Sequence, residues 1–481
     1  MSDVPILTSA TLAALPRKVP MPFRMELTDG ILECDTLLRI LPGKRIVCRA
    51  SWHGKTVLAK IYLSSRANQH LNREARGLQR LLEAGLAAPT ILATQQLTEG
   101  LAEVLLLEYF TNATDFSMRW NNTANQNEQN ALLCQAVTLI ADMHSKGLRQ
   151  GDIHLDNFLF HHSEAGEQII LIDGADIQPT KPSDQQTRLE NLALFFAQFP
   201  HKNDSQIKDA YQLYCQTQNL PFDAVQAGMV LWQTATKRAE RSEKFVKKSF
   251  RESTQFMQIK SWHRRLICQR DYYNPGFQTL LENLDRAIAE GEILKRGNSA
   301  TVARVKVGTL DLVIKRYNIK NTLHRIRRAF QPSRAATSWA NAQRLTHCGI
   351  ETPEAIAILE ERTGPLRGRA YIINRYMPGI SAEQFFANNA PNSKKSKQLI
   401  PQFDEIFRAM ANIRVSHGDL KASNFIISDQ RVVLIDLDSM RQHHQQRKFQ
   451  AAFNKDMVRF QRNWNQWPKL AAAFKEVGVD L

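Results

Sequence analysis

The stretch Ser416–Met440, SHGDLKASNFIISDQRVVLIDLDSM, has a counterpart earlier in the chain at Arg149–Ile177, RQGDIHLDNFLFHHSEAGEQIILIDGADI. In each, a Gly-Asp pair is followed by an Asn five residues after the Asp, then by an apolar run ending in a second Asp. The first set is Asp152, Asn157 and Asp173; the second is Asp419, Asn424 and Asp436. These residue types suit phosphoryl transfer from a nucleotide. One carboxylate orients the acceptor hydroxyl and takes its proton, while an amide and a second carboxylate hold Mg²⁺ on the phosphates. The runs Gln168–Ile172 and Val432–Ile435 read as short buried strands that fix that second carboxylate. A lone Asp-to-Asn spacing says little. Two copies, each followed by a strand and an Asp, say a good deal.

Working outward, Arg45–Ala50 and Thr56–Tyr62 read as strands joined at a His53-Gly54 turn, the second ending VLAKIY with Lys60. The next segment, LNREARGLQRLLEAG, has helical apolar spacing, stops at Gly85 and carries Glu74. Lys on a strand and Glu on the following helix is how a kinase N-lobe holds the α- and β-phosphates. A surface helix rich in Arg and Glu would explain Glu74 by itself; Lys60 changes the balance. From Glu292 the pattern restarts, with Lys315 in VIKRY and a helix SWANAQRLTHCGIETP parallel to EARGLQRLLEAGLAAP. The offset is 264 residues at Gly85/Gly349, 267 at Asp152/Asp419 and 263 at Asp173/Asp436, which marks an internal duplication. Residues 1–30, punctuated by proline, read as an irregular lead-in, with one domain at 31–288 and the next at 289–481. Asn121–Gln129 reads as loop, Ala131–Lys146 as a helix, and 183–290 as mostly helical.

At 481 residues, two domains are expected on length alone. The net charge of +16 suits nucleic acid, an anionic membrane surface or a phosphate-rich substrate without choosing among them. The six cysteines form no C-x-x-C pair and read as free thiols in a reducing cytosol. No apolar run approaches the ~18–20 residues that span a bilayer, so any membrane contact is expected to be peripheral.

With these residues in view, the chain resembles a tandem member of the lipopolysaccharide kinase family, whose enzymes phosphorylate heptose or Kdo of the inner core. The resemblance is closer in the second half, at SWANAQRLTHCGIETP, SHGDLKASNF, LIDLDSMR and KDMVRFQRNW. It implies an α+β fold of two tandem protein-kinase-like domains, each with a small β-rich N-lobe and a mainly helical C-lobe. It implies ATP and Mg²⁺ as cofactors, an anionic glycolipid acceptor, and work at the cytoplasmic face of the inner membrane, with no nucleic acid partner. Residue by residue, Asp152 and Asp419 take the base position. Asn157, Asp173, Asn424 and Asp436 take the metal positions. Lys60 and Lys315 pair the phosphates, Glu74 holds Lys60, and Lys421 meets the γ-phosphate where the first copy has His154.

The chain departs from the kinase pattern in places. Neither half has a G-x-G-x-x-G loop; the first offers Leu41-Pro-Gly-Lys and the second Arg296-Gly-Asn-Ser-Ala-Thr. Gln150 stands where the second copy has His417. Ser338 falls where a helix Glu should be, and between Leu312 and Glu351 there is no acid but eight Lys/Arg. Either the second copy has decayed, leaving Lys315 unpaired, or the basic stretch faces an anionic acceptor or membrane leaflet. The first half keeps the full Lys–Glu–Asp–Asn–Asp set and is on that ground the better catalyst. Asp176 and Asp438 read equally as second-layer groups or surface residues, and Asp456 and Glu190 as braces for the catalytic loops. His161-His162 and His443-His444 read as loop histidines, Lys394-Lys395-Ser-Lys397 as a solvated loop, and Trp464 and Trp467 as core. A protein hydroxyl as acceptor, or a pseudokinase with one or both halves inactive, are the alternatives; no A-P-E-like ending follows either second Asp.

Overall fold

Arg45–Trp52 and Lys55–Tyr62 are rich in β-branched and apolar residues and form strands with consecutive buried positions, Ile46–Cys48 in the first and Ala59–Tyr62 in the second. They pair antiparallel around the positive-φ turn His53-Gly54. A computed structural model describes residues 4–17, 19–100, 102–164, 166–181, 184–318, 332–364 and 366–475. It forms two compact units, one of Met1–Gln198 with Asn203–Thr234, the other of Phe199–Lys202 with Ala235–Leu481.

Each unit is a β-rich lobe followed by a helical one, as the duplication requires. The first sheet runs in the order Phe23–Leu27, Gly30–Leu41, Arg45–Trp52, Lys55–Tyr62, Glu103–Glu108, Ile91–Gln96. The second runs Phe256–Lys260, Arg264–Gln269, Ala355–Thr363, Leu366–Arg375, Leu310–Tyr317, Ala300–Val307, Glu292–Arg296. Five strands correspond, and in both sheets the lysine strand is internal. Lys60 sits between Val47 and Leu105, and Lys315 between Val302 and Ile372.

The extra strands correct two expectations. Phe23–Leu27 joins the first sheet and the helix Ser9–Ala14 precedes it, so the N-terminal stretch is not an irregular lead-in. Phe23 and Met25 are fully buried in that lobe, which proline content alone does not reveal. The hairpin Phe256–Gln269 lies in a region expected to be helical, yet it pairs with Ala355–Thr363 and so builds the second unit's sheet. The division expected between 288 and 289 therefore moves to Thr234/Ala235, inside the helix Ala224–Ser249.

Smaller corrections follow from capping. Asn125 accepts a bond from the backbone of Asn127 and starts the helix Gln126–Ser145, leaving only 123–125 between it and the helix Phe116–Asn122. Ser393 caps Lys394–Asn412, so the lysines expected in a loop occupy its first turn. His161 and His162 lie on the strand Phe158–Ser163. Trp464 is fully buried, 4.7 Å from the Phe474 ring in an aromatic core with Phe403, Phe407, Phe425 and Phe460; Trp467 packs against it half-buried. All six cysteines are free. Among the described residues, no helix is long and apolar enough to cross a membrane.

Candidate active site

In both units the loop that carries the Gly-Asp pair is tied to the chain beyond the second Asp by a short two-stranded ladder. Leu148–Gln150 pairs with Ile177–Pro179, and Val415–Ser416 with Arg441–Gln442. Behind the loop, the Asn of each set folds back on its own Asp. The Asn157 amide donates to the Asp152 carbonyl at 3.1 Å and the Asn424 amide to the Asp419 carbonyl at 2.8 Å. Each Asn carbonyl then accepts from the residue before the second Asp, Ile172 at 3.0 Å and Ile435 at 2.9 Å. The spacing of five residues thus closes a ring that brings base-position Asp, Asn and second Asp together.

The first unit pairs its lysine from the helix. Lys60 Nζ donates to Glu74 Oε1 at 2.5 Å and to the Ile172 carbonyl at 3.2 Å, and the same Glu74 oxygen accepts from the Gly174 amide at 3.1 Å. Glu74 is 1% exposed and Lys60 7%. The helix Ala67–Glu83 reaches this depth because Gly77 and Gly174 touch backbone to backbone; a Cβ on Gly77 would collide with the Gly174 carbonyl. Arg73, on the same helix, pairs with Asp176. The loop is braced by Gln198, which accepts from Leu155 N at 3.0 Å and donates to the Ile153 carbonyl at 2.9 Å. Asn191 donates to the Gln150 carbonyl at 2.6 Å and is held in turn by His144 at 3.0 Å. Glu190, expected in that bracing role, is exposed and accepts from Gln186 one turn earlier. Gln150 reaches the Asp173 carbonyl at 2.9 Å.

The second unit pairs its lysine from the opposite side. Ser338 does occupy the helix position, where it bonds to the Tyr317 hydroxyl at 2.8 Å. Lys315 instead donates to Asp436 and, at 2.8 Å, to Asp438, whose same oxygen also accepts from Arg334 at 2.8 Å. The expectation of an unpaired Lys315 is therefore corrected. Asp438, whose side chain is 3% exposed, is the acid that replaces the helix Glu. Burial pushes its carboxyl up, but Lys315 and Arg334 outweigh burial and hold it below the usual range. Burial likewise pushes Lys315 down, and Tyr317, Asp436 and Asp438 more than reverse it. Asp436 reaches Lys315 from a left-handed backbone, φ +61° and ψ +58°, which Asp173 does not share. For a residue with a Cβ that conformation costs roughly 1–2 kcal/mol.

Around Asp419, Lys421 lies 2.9 Å from one carboxylate oxygen and Arg459 3.0 Å from the other. Asp456, one helical turn before Arg459, takes the amides of His417 and Gly418 at 2.6 and 3.0 Å and so braces this loop as expected from its position. Its carboxyl is pushed up by burial, against those two amides. His417 is buried, and its Nε2–H donates to the Ile435 carbonyl at 3.1 Å; burial lowers its pKa and keeps it neutral.

Lys315, Asn424 and Asp436 line one cavity of about 450 Å³, together with Gly297 and Ser299 of the poor glycine loop and with Ile372, Ile426 and Ile435. That size suits a nucleotide-scale ligand. The Asn424 amide nitrogen is committed to Asp419, which leaves its oxygen, with the Asp436 carboxylate, as hard donors suited to a divalent cation. Among the described residues there is no cluster of three His, Cys, Asp or Glu that could hold a metal by itself.

Residues 47–211 and 285–476 each match the lipopolysaccharide kinase (Kdo/WaaP) family, together more than half of the chain. The chain belongs to the lipopolysaccharide kinase family. Its two matched segments make it a tandem member, with the protein-kinase-like fold in both. No curated protein matches it. Among solved structures it is similar to a point mutant of the kinase domain of Mycobacterium tuberculosis PknI, at 16% identity and a TM-score of 0.22. That likeness covers 31% of this chain and 57% of the other. Membership in this kinase family supports a kinase-like phosphotransferase.

Sequence reasoning assigned no role to Arg459 or Arg334, and left Asp438 open between a second-layer group and a surface residue. Arg459 sits three residues after Asp456 in KDMVRF, one turn along the same helix, and that spacing was the available signal. Asp438 carried the signal of its place two residues after Asp436; its pairing with Arg334 carried none, because the two meet only through folding across 104 residues. Four of the eight cations between Leu312 and Glu351, Lys320, Arg325, Arg327 and Arg328, lie outside the described residues.

Proposed function

We propose that the second unit transfers the γ-phosphoryl group of ATP to a sugar hydroxyl, heptose or Kdo, of the lipopolysaccharide inner core. The observation that carries this is the convergence of Lys315, Asn424 and Asp436 on one 450 Å³ cavity beside Asp419. Family membership supports the sugar acceptor, and the net charge of +16 suits a lipid already bearing anionic groups at the inner membrane surface. Mg²⁺, when bound, supplies neutralisation of phosphate charge.

Asp419 accepts the acceptor's proton and orients its oxygen. Lys421 and Arg459 hold both carboxylate oxygens, which fixes the direction of Asp419. Lys315 positions the phosphates, steadied by Asp438. Asn424 and Asp436 present oxygens on the cavity side. Catalysis is then chiefly positioning and charge neutralisation. A second reading, turnover in the first unit through Lys60, Glu74, Asp152, Asn157 and Asp173, is favoured by its intact buried Lys60–Glu74 pair.

Transfer of labelled γ-phosphate from ATP to purified inner-core lipopolysaccharide separates the two. Asp419→Asn should lower kcat by ~10²–10⁴-fold, the usual contribution of a positioned base. Asp152→Asn should stay within about threefold of wild type on the same scale. The reverse pattern would move catalysis to the first unit, and no label from wild type would remove the sugar-kinase reading.

A further inference from the structure

A second cavity of about 880 Å³ adjoins the first in the same unit. Tyr317 and Arg334 line both, so they form the wall between them. Its other cations are Arg367, Arg441, Lys455 and Arg459. Among the described residues two acids line it, and both are hydrogen-bonded. Asp438 is held by Lys315 and Arg334, and Asp456 by the backbone amides of His417 and Gly418. Nearby Glu360 is buried and already bonded to Ser333 and Arg362. His443 also lines the cavity; burial lowers its pKa, so it adds no compensating charge of either sign near neutrality. Five cations against the two lining acids leave the cavity positive. One of its donors, Arg367 Nη1, is buried with no hydrogen-bond partner among the described residues, a state that disfavours the fold unless something accepts from it.

We infer that this cavity is an anion subsite for a phosphate group carried by the acceptor, separate from the nucleotide cleft. Guanidinium groups present paired donors that match phosphate oxygens, which suits Arg367 and Arg441 to the task. The position also fits. Arg459 and Gly418 line the cavity, and the first holds an Asp419 oxygen while the second precedes Asp419 in the chain. A phosphate seated here would place a neighbouring hydroxyl of the same acceptor toward Asp419. The identity of the acceptor rests on the function proposed above; the anion site does not.

The test titrates inorganic phosphate into the full chain in the presence of saturating Mg²⁺ and a non-hydrolysable ATP analogue, for wild type, the Arg367→Ala/Arg441→Ala double variant, and Lys455→Glu. Wild type should bind saturably, and each variant at least tenfold more weakly, with analogue affinity unchanged as evidence of folding. Lys455 lies on an exposed helix face, so its variant guards against a double variant that fails to fold. In the transfer assay the variants should raise KM for lipopolysaccharide at least tenfold, with kcat and KM for ATP within threefold, and should match wild type on dephosphorylated acceptor. Absent phosphate binding in wild type, or equal binding in all three, overturns the site. Weakened phosphate binding without transfer to lipopolysaccharide by wild type keeps the site and removes the acceptor reading. Unchanged acceptor KM with weakened phosphate binding overturns the link to the acceptor.

Discussion

Lys60 and Lys315 occupy the same place in two copies of one sheet, yet they are held from opposite sides. In the first unit the acid comes from the helix that packs on the sheet; in the second it comes from the loop after the second Asp. Glu74 reaches Lys60 because Gly77 lets its helix lie directly on Gly174. Asp438 reaches Lys315 because Asp436 turns the backbone left-handed and Arg334, at the start of the equivalent helix, draws Asp438 in from the other side. The lesson is that a buried strand lysine requires an acid, but not one from a fixed element. A missing motif residue is no proof of decay.

The largest expected effect that breaks this comparison is Glu74→Gln. It leaves Lys60 charged and buried, and removing one member of a buried pair costs about 3–5 kcal/mol. Chemical denaturation should show the first unit losing that much while transfer activity stays near wild type. If activity falls in parallel, the first unit contributes directly to turnover.

Next is Asp438→Asn. It should reduce kcat/KM by roughly 10²–10³-fold, the size of one oriented electrostatic group. KM for ATP should rise too, because Lys315 loses its anchor. Little change would mean that Asp436 alone positions Lys315.

The smallest expected effect is a pH dependence that sharpens the contrast. Both units bury a neutral histidine behind the loop, His144 in the first and His417 in the second. Burial lowers His144 to about 4, opposed in part by its bond to Asn191. Asn191 donates its amide to Gln150, so its oxygen accepts, and His144 must be protonated on Nε2 while Nδ1 accepts from Tyr214 at 2.9 Å. The unfolded chain takes up a proton near pH 6.5 and the folded unit does not until about 4. Stability should therefore be full above about 6.5 and fall as pH drops through that window, by about 3 kcal/mol at most for this group. Thermal unfolding of wild type and His144→Gln across about pH 4–7 should give a shallower slope in the variant. Equal slopes would assign the dependence to other groups.

The duplication, the lysine strands and the Asp–Asn–Asp sets were all legible in the chain, because each is a local pattern. An apolar run with period two, an Asn five residues after an Asp and a glycine ending a helix act over one element or one turn. The partner of Lys315, the basic cavity and the hairpin Phe256–Gln269 were not legible. Asp438 and Lys315 are 123 residues apart, and Arg334 and Asp438 are 104 apart. Their meeting depends on a single left-handed residue and on which sheet edge a hairpin joins. The amino-acid sequence by itself determined that this protein carries two kinase-like halves and which carboxylates they offer. Only the tertiary structure decided which acid steadies each lysine and where the second unit begins, because those depend on backbone direction at a few residues rather than on periodicity.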